Sequence, residues 1–174
     1  MSELKKIERN DLGLIVGVNY VFDENGLVDW RKMLKPEFLV PNRSKTTETD
    51  VTKLNDSELL ITLGGLKYLA QLRGYMSVGY QLLSASIDYV AVSCKILWKA
   101  NFETEGDCVC FESIADAHAG NTEDFARIYL AAIAENRAFA RCVRNFLRIN
   151  IVAQEEVSSK GRFESTTPKK DLTQ

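Results

Sequence analysis

Four arginines, Arg137, Arg141, Arg144 and Arg148, lie between Asn136 and Asn150, a stretch that holds no acid. On a helix turning 100° per residue, their offsets of 4, 7 and 11 place them within an arc of roughly 60°. Phe125, Ile128, Ala132, Phe139, Val143 and Phe146 fall on the opposite side. The guanidinium is a planar fork of donors that matches phosphate oxygens. A row of such forks backed by an apolar anchor suits a polyanion better than a metabolite. The competing reading is a solvated face whose arginines pair with distant acids or cover apolar surface with their stems. Pairing within the helix is closed to Arg141, Arg144 and Arg148, because none has an acid three or four residues away.

Other cations could extend such a path. Lys95 and Lys99 share one face of an alternating segment, opposite Val90, Val92, Cys94, Ile96 and Trp98. Arg73 closes a preceding helix, and Arg43 and Lys45 sit in a polar loop. Tyr75, Tyr80 and Tyr89 offer rings for base stacking, although a core or packing role fits any one of them better. The formal net charge is −2, which excludes a uniformly basic packaging protein and leaves placement to set the local potential.

Catalytic constellations are missing. There is no Gly-x-x-x-x-Gly-Lys-Ser/Thr, and Gly64-Gly65-Leu66-Lys67 has the wrong spacing with no hydroxyl after the lysine. Nucleophilic catalysis would depend on the single histidine, His118, which sits between alanines and reads as a structural junction. Cys94, Cys108, Cys110 and Cys142 lack Cys-x-x-Cys spacing and read as buried free thiols. Glu103, Glu105 and Asp107 read as a solvated run at a hairpin tip. The expectation is therefore a binding protein rather than an enzyme, with no cofactor and no metal.

The elements that would position these residues follow from local signals. Residues 14–22 read as a strand closed by a turn at Asp23-Glu24-Asn25-Gly26. Residues 42–56 read as a polar surface loop. A helix is expected over 57–73, opened by an Asn55/Glu58 capping box and ended by Gly74. Three strands follow, at about 77–87, 89–100 and 108–117, and then a long helix from Asn121 to about Leu147. Residues 149–153 read as extended, and 154–174 as a loose polar tail. The divisions are thus 1–54, 55–153 and 154–174, and the fold class is α+β of the β-β-β-α type with an additional N-terminal strand region. The apolar run at 12–18 is too short to span a membrane, and a cytoplasmic location is expected.

This order of elements resembles the single-strand annealing core of the Rad fifty-two superfamily and is similar to the phage annealing proteins of the Erf and Sak type. The resemblance rests on Gly74-Tyr75-Met76-Ser77-Val78, on Ser113 to Gly120, and above all on the Ala-Glu-x-Arg-Ala-x-x-Arg-x-φ-Arg pattern beginning at Ala134. It spans about residues 55–150. It implies ATP-independent binding and annealing of single-stranded DNA in recombination or repair, in a phage-encoded protein acting in the host cytoplasm. It also implies a homo-oligomeric ring or helical filament assembled through sheet edges, with the tail free to recruit a recombination partner. Arg141, Arg144 and Arg148 become phosphate contacts, with Arg137 in the same row and Lys95, Lys99, Arg43, Lys45 and Arg73 around it. A DNA-protecting protein that does not anneal, or a structural oligomer whose arginines pair across subunits, are the alternatives.

Overall fold

A computed structural model describes residues 7–157. Its centre is a three-stranded antiparallel meander: β3 (Tyr75–Ala85), β4 (Tyr89–Trp98) and β5 (Val109–His118). The two flanking helices are α1 (Leu63–Arg73) and α2 (Leu130–Phe146). A small antiparallel pair, β1 (Leu39–Pro41) and β2 (Leu59–Ile61), completes the regular structure. The chain is α+β, and the sheet is followed by its C-terminal helix.

The apolar alternation in β4 explains which side of the sheet α2 covers, although Ser93 on the other face is buried as well. Val90, Val92, Cys94, Ile96 and Trp98 are all buried, while Tyr89, Lys95 and the following Lys99 are exposed. Helix α2 lies across β4 and β5. Its sheet-facing residues Ala134, Ala138 and Cys142 are fully buried, and Ala115 and Ala117 of β5 are buried among the same core residues. Small side chains on both surfaces let the helix axis come close to the strands. At its far end Phe146 stacks on Trp98, with ring centroids 4.5 Å apart and planes 8° from parallel.

Several sequence expectations change. Residues 14–22 do not form a strand; the segment makes single bridges, Arg9 with Ile15 and Phe22 with Val28. Gly13 and Gly17 turn the chain there with φ of 79° and 85°, which interrupts any extended run. Leu14, Val28, Trp30, Met33 and Leu34 join the common core, so the N-terminal segment is part of the folded unit. The helix expected over 57–73 is divided. The Asn55/Glu58 capping box is present, but it caps a single 3-10 turn at Asp56–Glu58. Leu59–Ile61 then pair with β1, and Thr62 caps α1 by accepting a hydrogen bond from the Gly65 amide.

The last helix is shorter than expected. Asn121 does not cap it; its side-chain oxygen accepts the His118 amide instead. Asp124–Tyr129 forms a 3-10 segment, on which Phe125 and Ile128 are exposed rather than anchored. Of the four thiols, Cys94 and Cys142 are buried, whereas Cys108 and Cys110 are exposed. The tail begins tied down: Ala153 bridges Ile61 in parallel, and Gln154–Glu156 forms a 3-10 turn against the core. Residues 158–174, the remainder of that expected tail, lie outside the described residues. No helix among the described residues is long and apolar enough to cross a membrane.

Candidate nucleic-acid interface

The arginine row does form on one side of α2, but it faces inward along the edge of the sheet. Strand β5 is the last strand, so its outward carbonyls need partners from elsewhere. Arg137 Nη1 donates to the Asp116 carbonyl at 2.9 Å, and Arg141 Nη1 donates to the Ile114 carbonyl at 3.0 Å. Arg137 is only 6% exposed. It also donates to the Glu155 carbonyl at 2.6 Å and to both oxygens of Asn121, at 2.9 and 2.8 Å. Burial draws its pKa below the usual guanidinium value, with Asp116 opposing that shift and Arg141 adding to it.

The acid missing from the helix arrives from the chain that follows it. Glu156 accepts from Arg141 Nε at 3.0 Å, and from Arg144 Nε and Nη2 at 2.8 and 3.0 Å. Its side chain is 4% exposed. Burial alone would raise its pKa, but the hydrogen bonds from Arg144 and Arg141 outweigh that and hold the carboxyl below its ordinary range. Arg148 leaves the row altogether. It lies beyond the last residue of α2 with φ of 56° and stands exposed. There it borders a cleft of about 350 Å³ that also contains Asp23, Asp29 and Glu103. As phosphate contacts, Arg137 and Arg144 are therefore withdrawn from solvent, and Arg141 is half-committed.

Arg73 is also corrected. It is 2% exposed and donates to the Lys99 carbonyl and to Asn101 Oδ1, both at 2.7 Å, with Glu103 Oε2 at 3.4 Å from its Nε. Glu103 is consequently not a solvated tip residue: its Oε1 accepts from the Val28 amide and from Trp30 Nε1, each at 3.2 Å. Arg43 is exposed but holds its own loop through the Thr47 and Glu48 carbonyls. Lys45, Lys95 and Lys99 are exposed, and none has an ion-pair partner among the described residues.

One cationic place emerges that sequence reasoning did not single out. Ile7, Arg9, Gln71, Gly74, Tyr75 and Lys99 line a cleft of about 530 Å³, with no carboxylate among the described residues that line it. Arg9 reaches it because its guanidinium closes the C-terminal end of α1, donating to the carbonyls of Gln71, Leu72 and Arg73 at 3.3, 3.2 and 3.2 Å. A cation is favoured there by the helix dipole. Gly74 makes the approach possible, since it turns with φ of 85° and a Cβ on it would collide with that guanidinium. Only the glycine at the helix end hinted at this in the sequence; its arginine partner is more than sixty residues earlier.

No family model, curated protein or solved structure matches this chain.

Proposed function

We propose that the protein binds single-stranded DNA without ATP and anneals complementary strands in recombination or repair. The observation that carries this reading is the cleft that places Arg9, Lys99 and Tyr75 together, from which Lys95 lies about 13 Å back along the same face of the sheet. Phosphates would rest on these cations while base edges stay outward, and pairing with the complement would supply the driving force. Arg43, Lys45 and Arg148 are the remaining exposed residues of the set named from sequence. With two or three contacts per protomer, log affinity should fall against log salt with a slope of about −1.5 to −2.

Fluorescence anisotropy with labelled oligonucleotides tests the binding, and fluorescence quenching on mixing complementary strands without ATP tests the annealing. Reversing Lys95 and Lys99 to Glu together should abolish most of the affinity. Duplex formation that slows in the presence of protein would instead support strand protection. Absence of salt-sensitive binding by the wild type would overturn the reading. A structural role without nucleic acid is the second reading, favoured by the use of Arg137, Arg141 and Arg144 within the chain, which also takes them out of pairing across subunits.

A further inference from the structure

The two edges of the meander are unlike. The C-terminal half of the β5 edge is covered by Arg137 and Arg141, which occupy the Asp116 and Ile114 carbonyls. The β3 edge has no strand beside it among the described residues. Nine of the eleven residues of β3 are exposed, only Tyr75 and Val78 being half-buried. Between Tyr75 and Ala85 there is no charged residue and no proline. Exposed edge strands in monomers are commonly short, or carry Lys, Pro or an inward charge that prevents pairing. β3 has none of these chemical defences, and its bulges at 75/77 and 82/84 bound a regular stretch from Ser77 to Leu82.

We infer that β3 pairs with β3 of a second copy, antiparallel and about a two-fold axis normal to the sheet, giving a closed dimer with one six-stranded sheet. Three observations select a second copy as the occupant. Head-to-tail addition of β3 onto β5 meets the Ile114 and Asp116 carbonyls already taken, which favours the symmetric arrangement for sheet continuation. A strand without charge places no like charges opposite each other when it pairs with itself. Finally, Tyr80 and Leu82 point to the α2 side of the sheet but remain 45% and 59% exposed, because α2 lies over β4 and β5. A two-fold axis normal to the sheet brings the same face of the second copy alongside, and both pairs of side chains then share one trough between the two α2 helices. Each subunit contributes its open edge, so the assembly terminates at two.

The inference stands apart from nucleic-acid binding. Sedimentation of the full chain at micromolar concentration should give twice the chain mass of 19.6 kDa. Ser77 and Gln81 are exposed on the face away from α2, where lysines leave the fold undisturbed. The double variant S77K/Q81K should weaken self-association roughly a hundredfold by like-charge repulsion across the axis. Mixing it with S77E/Q81E should restore a dimer of one copy of each. A monomeric wild type, a dimer indifferent to both variants, or a mass that grows beyond two copies would overturn the proposal. So would a monomer whose β3 amides resist hydrogen exchange, which would mean that the chain covers its own edge. A dimer without DNA affinity would sink the annealing reading alone, and a DNA-binding monomer would sink this one alone.

Discussion

Arg144 meets the Glu156 carboxylate with two nitrogens, Nε on one oxygen at 2.8 Å and Nη2 on the other at 3.0 Å. The same carboxylate takes Arg141 Nε, so one nearly buried acid pairs with two helix cations and leaves the cluster one positive charge in excess. Removing one partner of a buried pair leaves the other charge desolvated, which costs about 3–5 kcal/mol. Since Arg141 is partly solvated, Glu156→Ala should lose about 3 kcal/mol, the lower end of that range, read as a shift in the urea unfolding midpoint. Arg144→Ala should cost a similar amount, and the double variant should cost clearly less than the sum.

Neighbouring Glu155 and Glu156 should respond oppositely to pH. Glu155 has its pKa raised by burial, and its Oε2 has no hydrogen-bond partner among the described residues. A raised carboxyl favours folding below the unfolded value near 4.3, and that advantage disappears as pH rises through the folded value. Glu156 is depressed, so its contribution is present above the unfolded value and is lost as pH falls through the folded one. Glu155→Gln should therefore raise the urea midpoint at pH 8 and leave it unchanged near pH 4. Glu156→Gln should lower the midpoint at pH 8 and lose its effect in acid.

Gly74 is tested by a single methyl group. Gly74→Ala forces a side chain into a positive-φ position and pushes the Arg9 guanidinium off the end of α1. The strain alone is about 1–2 kcal/mol, and loss of the arginine cap adds to it. Arg9→Ala should show the second part without the first. Both would be read from thermal and urea unfolding, and the Arg9 variant should also weaken oligonucleotide binding in the cleft it lines.

Glu103→Ala should rank among the most damaging single changes. It strands Arg73, whose side chain is 1% exposed, and deprives Trp30 Nε1 and the Val28 amide of their acceptor. A loss of about 3–5 kcal/mol is expected, accompanied by a change in Trp30 fluorescence as its indole loses that contact.

The elements that were legible in the sequence are those whose signals are local. The alternation of Val90 to Trp98 marked β4 and its buried face, and Gly74 marked the end of α1. The errors come from partners distant in the chain. Leu59–Ile61 reads as the first turn of a helix until β1, some twenty residues earlier, offers it a ladder. The spacing of Arg137, Arg141 and Arg144 is legible in the sequence but their partners are not, because the acid lies in a segment with no periodic signal and the carbonyl acceptors belong to β5. Arg148 was lost from the row because the helix ends two residues before it, with Leu147 at the cap.

The clasp around α2 also sets an order in time. A ribosome makes Ile61 about ninety residues before Ala153, its parallel partner, an interval of roughly 5–20 s at ordinary synthesis rates of about 5–20 residues per second. During it the nascent chain holds β2, then the meander, and then three arginines whose acid has not yet been added. Closure waits for Ala153 and Glu156, so a product stalled before them would expose cationic helix and bare strand edge together, a form suited to capture by a chaperone or a protease.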